Sequence, residues 1–248
     1  MITVAEIVRF LETKAPVSLA EEWDNPGLLV GDETQEVSGV LVCLDITSAV
    51  VEAAVKAGAS LIISHHPVIF NPIKRLESHS VPYRLAANGI AALALHTNLD
   101  AASGGVNDDL SARLGLVNVA VQPDGIVRTG MLPKPFSAEA FAKHASAVLH
   151  TPVRWHEGEG AVNTVAVCGG AGGDLVQEAA ADAVVTGELK HHEWLALAEQ
   201  GKTIVEAGHY ETEVGVVDTL SDWLKEAFPT LAVQSFEGEP PYITIEGR

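Results

Sequence analysis

The chain writes one pattern twice, and that repetition limits the folds open to it. The first half reads "VLVCLDITSAVVEAAVKAGASLIISHH" and, further on, "GIAALALHTNLD". The second half reads "TVAVCGGAGGDLVQEAAADAVVTGELKHH" and then "GKTIVEAGHYETE". Each copy holds an apolar run ending in Cys, a turn, a helical stretch with "EAA", a second apolar run and a pair of histidines. Cys43 precedes His65 by 22 residues, and Cys168 precedes His191 by 23. A third apolar run in each copy closes on His-x-x-x-acid, as His96/Asp100 and His209/Glu213. Strand–helix–strand units share apolar patterning by chance. Matching polar residues in both copies point instead to internal duplication. The pattern predicts an α/β protein of two related lobes with mixed sheets, at about 1–120 and 121–248.

Helical periodicity lies near 3–14, 48–57, 79–88, 105–114, 137–149, 174–181, 190–200 and 212–227. Strand-like runs are 39–44, 60–63, 90–95, 125–132, 161–168, 183–186, 203–206, 231–235 and 242–245. No Pro/Ser-rich linker divides the chain, and the weakest joint is near 117–136. In open α/β sheets, sites form beyond the carboxyl ends of the strands, where both copies carry their histidines. Facing lobes would gather them in one cleft.

Composition narrows the function classes. With 248 residues and 47% hydrophobic composition, a sizeable core is within reach. No apolar run is long enough for a membrane span, and no charged leader precedes one. Only Cys43 and Cys168 occur, both inside apolar runs, which suits a reducing cytoplasm. The formal charge of −18 argues against nucleic acid as a partner over the bulk surface, although bound metal ions invert a local field. The tail "ITIEGR" carries no assigned function.

Imidazole and carboxylate together suit divalent Zn, Mn, Fe, Co or Ni. Four imidazoles and two carboxylates exceed the need of one tetrahedral ion and could serve two. Taken singly, each element has a plainer reading. His209 and Glu213 could be a solvated helix turn, and "HTNLDAASGG" could be turn and cap chemistry. "EEWDNPGLLVG" is either an Asx turn or a loop in which Asp24 and Asn25 orient substrate or water. "CGGAGGDL" reads as a tight turn rather than a phosphate cradle, because it lacks the P-loop Lys.

The stretches "EEWDNPGLLVGD", "ISHHPVIF", "HTNLDAASGGVNDDLSARLGL", "VAVCGGAGGDL", "VVTGELKHHEWL" and "EAGHYETE" resemble the Nif-three-like family nearly end to end. Its members often carry the name GTP cyclohydrolase 1 type 2 homologue. The resemblance implies a dinuclear metal centre in the cleft between the lobes, held by His65, His66, Asp100, His209 and Glu213, with Asp100 bridging the ions. Glu188 fits the acidic position that the family has after "TG". The inserted middle domain of longer relatives is not expected here. The resemblance also implies a cytoplasmic, toroidal homohexamer.

Repeat symmetry makes His191 and His192 equals of His65 and His66, whereas the family leaves them outside the metal site. They, with Asp24, Asn25 and His96, are candidates for the substrate pocket or for proton transfer. The expected activity is dinuclear metal-dependent hydrolysis of a nucleotide-like or phosphoester substrate, GTP cyclohydrolase-like at its most specific. The competing class is a non-catalytic metal-binding scaffold or regulatory interaction protein.

Overall fold

A computed structural model describes residues 1–243. The chain divides into two compact units: Met1–Gly105 with Val216–Gly238, and Val106–Gly215 with the segment that begins at Glu239.

The first unit is built on a five-stranded sheet in the order Gly27–Val30, Ala91–Ala94, Leu61–Ser64, Val40–Cys43, Val233–Ser235. Only the Gly27–Val30 edge strand runs antiparallel to its neighbour. The three middle strands are buried along their whole length, which explains why VLVC, LIIS and AALA read as continuous rather than alternating apolar runs. Their register aligns Cys43, Ser64 and Ala94. The Ser48–Ala57 helix links two of them. The Thr47 hydroxyl accepts from Val50 N–H at its start, and Gly58 takes the left-handed conformation at its end.

The second unit carries a six-stranded sheet in the order Val117–Val121, Arg128–Phe136, Val162–Cys168, Ala183–Thr186, Thr203–Glu206, Arg154–His156. Val162–Cys168, Ala183–Thr186 and Thr203–Glu206 are parallel, and the other pairings are antiparallel. Both sheets are therefore mixed, with four adjacent parallel strands in the first and three in the second. Here the register aligns Cys168, Thr186 and Glu206, so the Cys-ended strand holds the same place as in the first unit.

The units do not divide at 120. Val106–Arg113 and Val117–Val121 belong to the second unit, while Val216–Gly238 returns to the first. The Val216–Ala227 helix buries Val216, Val217, Leu220 and Leu224 on one stripe. Val233–Ser235 then pairs with the open edge of Val40–Cys43. The strand expected at 231–235 thus forms, but in the first sheet. The expected 174–181 helix is cut to Gly173–Val176, because the Lys202 ammonium takes the carbonyls of Gln177 and Ala179. Gly27–Val30, Val117–Val121 and Arg154–His156 are strands that the periodicity did not predict. The strand expected at 242–245 falls mostly outside the described residues, as does the IEGR tail. Among the described residues, no helix is long and apolar enough to cross a membrane.

Candidate metal centre

In the first unit the aligned strand ends deliver their next residues to one place. His65 and His66 continue the ladder directly after Ser64, donating their backbone N–H groups to Cys43 and Leu44 carbonyls. Leu95 N–H likewise donates to Ser64 O, which brings His96 beside them. The ring centroids of His65, His66 and His96 lie 4.8 to 5.6 Å apart. Each ring offers a ligand nitrogen within 4.8 Å of the others.

All three rings are held at Nδ1 by an oxygen. His65 Nδ1 lies 2.9 Å from Leu95 O, His66 Nδ1 2.7 Å from Asp45 Oδ1, and His96 Nδ1 2.7 Å from Asp24 Oδ1. A neutral imidazole that donates through Nδ1 carries its lone pair on Nε2, which is how proteins prepare histidine for a metal. His65 is fully buried, and its Nε2 lies 3.6 Å from Asp100 Oδ1. Asp100 sits in the short Thr97–Ala101 helix that follows His96. His65, His66 and Asp100, with His96 beside them, give nitrogen and oxygen donors that fit a borderline divalent ion.

Asp24 also accepts from Thr97 N–H at 3.0 Å and from the Thr97 hydroxyl at 2.5 Å. Burial pushes its carboxyl up, but the bonds from Thr97 and His96 outweigh this and hold it below the ordinary aspartate range. Burial, only partly opposed by Asp24, lowers the His96 pKa below the usual imidazole value and keeps the ring neutral at pH 7. Asn25 acts on the backbone instead. Its side-chain amide donates to Ile69 O at 2.6 Å and ties its loop to the segment after the histidine pair.

The second unit carries donors of its own. The His209–Glu213 helix places His209 Nε2 3.2 Å from Glu213 Oε2, while His209 Nδ1 lies 3.5 Å from Glu188 Oε1. Glycines make room for it. Gly170 has φ +59, and a Cβ there would collide with the Glu213 carboxylate. A Cβ on Gly187 would lie 2.6 Å from Gly170 O and 2.8 Å from the His209 Cα. The "CGGAGGDL" segment is thus a tight turn packed around side chains of its own unit, with Cys168 and Glu193 crowding Gly172 and Gly173.

Laid on the strand register, the two copies match in backbone but not in chemistry. His65 follows the aligned strand end directly, whereas Gly187 and Glu188 occupy the corresponding places after Thr186. No histidine fits at Gly187, for the reason just given. His191 and His192 lie further on, exposed at the start of the His191–Glu199 helix, and His192 clusters with Asp174 and Glu193. The His-x-x-x-acid motifs are also displaced. His96 comes two residues after the aligned Ala94, and His209 three after Glu206. His96 is the N-cap of its helix, where Gly208 is the N-cap of the other.

Sequence reasoning missed Asp45, which orients His66, and Thr97, which holds Asp24. Their only signal was position: a polar residue two or three places beyond an aligned strand end. Cys43 and Cys168 are buried core residues, and burial pushes the Cys43 thiol far up.

The family model described as Duf34/NIF3 (NGG1p interacting factor 3) matches residues 2–240. NIF3-like protein 1 of Drosophila melanogaster is 32% identical over 245 residues, covering 92% of this chain and 82% of that protein. A GTP cyclohydrolase 1 type 2 homolog of Clostridium acetobutylicum is 27% identical, with 94% and 93% covered. The crystal structure of a hypothetical protein from Staphylococcus aureus superposes with a TM-score of 0.89 at 29% identity, covering 98% of this chain and 99% of that one. The chain belongs to the Duf34/NIF3 family.

Proposed function

We propose that this chain is a metal-dependent hydrolase, with His65, His66, Asp100, His209 and Glu213 as donors to two divalent transition-metal ions. The observation that carries this reading is the first unit's histidine cluster, in which each Nδ1 is engaged by a carbonyl or carboxylate. Such locking sets three rings at one place with one tautomer, and a solvated surface cluster has no need of it. Bound divalent ions supply Lewis acidity and a hydroxide nucleophile at neutral pH.

The chain's own residues have distinct parts in this scheme. His65 and His66 would hold an ion, their rings oriented at Nδ1 by Leu95 O and Asp45. Glu188 orients His209 through Nδ1. His96, neutral and backed by Asp24, takes a proton at Nε2 while Asp24 stabilises the imidazolium that forms. A nucleotide-like or phosphoester substrate fits this chemistry, with GTP ring opening as its most specific form. A homohexamer is part of the proposal, on the ground of the family resemblance.

The test is metal content followed by turnover. The purified protein, reconstituted with Mn(II), Zn(II) or Fe(II), is expected to retain close to two ions per chain and to hydrolyse members of a nucleotide and phosphoester panel. A folded, metal-loaded protein inert on the whole panel would favour the scaffold reading instead.

A further inference from the structure

The segment Trp23-Asp24-Asn25 does three things at once. Asp24 holds His96, Asn25 holds the Ile69 carbonyl just before Phe70, and Trp23 stands 60% exposed. Phe70 is 45% exposed. The Trp23 and Phe70 ring centroids lie 5.9 Å apart with the planes tilted by 55°, and each lies 6.2 Å from His96 in an edge-on arrangement. In a chain with only 5% aromatic residues, two large aromatic faces therefore remain in solvent beside the candidate proton-transfer histidine. Both anchoring bonds come from the two residues that follow Trp23, so the chain leaving it is tied down rather than loose.

We infer that Trp23, the more exposed ring, with Phe70 packed against it at an angle, forms a stacking platform for a planar aromatic ring of the substrate, held beside His96. This rests on the hydrolase reading for what happens next to the ring, but the binding itself does not need the ions. Exposed aromatic faces bind planar rings irrespective of hydrogen-bond pattern, because every such ring offers a π-face. The platform therefore selects ring-bearing phosphoesters over ring-free ones, and it is tolerant of which ring is present.

Three probes separate the contributions: adenosine 5′-monophosphate, phenyl phosphate and ribose 5-phosphate. Their affinities are measured by calorimetry on the full chain, once with added Mn(II) and once with chelator. The two ring-bearing probes should bind about tenfold or more tighter than ribose 5-phosphate, in keeping with the usual strength of base–aromatic stacking. Trp23→Ala and Phe70→Ala should each remove most of that difference, Trp23→Phe should restore it, and metal content should stay at the wild-type level. Equal binding of all three probes overturns the platform, as does an unchanged preference in Trp23→Ala. Loss of assembly in Trp23→Ala with unchanged probe affinity also overturns it, by making the pair a subunit contact. Failure of the wild-type chain to retain metal would sink the hydrolase reading alone, because the ring preference is still read in chelator.

Discussion

Asp24 Oδ1 lies 2.7 Å from His96 Nδ1, and the same carboxylate takes both the backbone N–H and the hydroxyl of Thr97. One buried side chain thereby fixes the tautomer of His96 and the first turn of the helix that carries Asp100. Asp24→Ala strands those donors and should cost about 1–3 kcal/mol of stability in denaturant unfolding. Asp24→Asn keeps the shape but loses the charge, and should lower turnover roughly 10–100-fold with the fold intact by circular dichroism. An Asp24→Asn enzyme of wild-type activity would remove His96 from proton transfer.

Metal retention should separate the histidines. His65→Ala, His66→Ala, His209→Ala and Glu213→Ala should each sharply weaken at least one ion's binding, and Asp100→Ala should affect both. His96→Ala, His191→Ala and His192→Ala should keep metal content near wild type. Elemental analysis, with circular dichroism to exclude unfolding, reads the outcome. If His96 proves as necessary as His65, the three locked rings act as one ligand set and the assignment taken from the family is too narrow.

Gly170→Ala tests the second donor set without touching a donor. The substitution forces a side chain into φ +59 and into the Glu213 carboxylate. It should cost at least about 1 kcal/mol from the backbone alone and lower metal content by displacing Glu213. Gly160→Ala is the control. Gly160 has φ +76 but nothing within 4 Å of the added Cβ, so it should show a stability loss without metal loss.

Asp182 gives a pH signature independent of the metal site. Burial pushes its carboxyl up, but bonds from the Thr164 and Asn163 N–H groups and the Thr164 hydroxyl more than offset this, so its pKa lies below the ordinary value. A carboxylate with a depressed folded-state pKa contributes stability that is present above the unfolded value near 4 and is lost as pH falls through the folded one. Wild type should therefore lose stability relative to Asp182→Ala as pH falls below about 4. Parallel urea curves for both proteins over that range provide the measurement. Curves that keep a constant separation would refute the assignment.

Assembly is expected to be hexameric. Light scattering at micromolar concentration should give six times the 26.1 kDa chain mass. A monomer mass would refute it.

Much of the fold was legible in the residue pattern. Continuous apolar runs marked the parallel strands, since strands buried on both faces show no alternation. The helix at 48–57 forms as read, because Thr47 and Gly58 supply local start and stop signals. The placement of histidines at strand ends followed from the rule that parallel sheets present their carboxyl ends together. Edge strands such as Val117–Val121, exposed at every residue, gave no such signal. Of the aromatic pair, Trp23 was visible only as a Trp before an Asx turn, and Phe70 only as the end of "ISHHPVIF".

Sequence alone thus determined the strand–helix–strand units, the apolar runs that build their cores, and the residues that follow each strand. Tertiary structure decided which of those residues correspond. The displacement of His209 against His96 by a single place was invisible in the motif spacing, because both copies read His-x-x-x-acid. One residue along a helix turns a side chain by about 100°, so that offset decides which direction each imidazole faces. Tertiary structure also decided that Asp45 should hold His66 and that Val216–Gly238 should return to the first sheet. Those outcomes depend on which backbone edge and which Nδ1 are within reach, and distance in space between residues far apart in the chain is written in no local pattern.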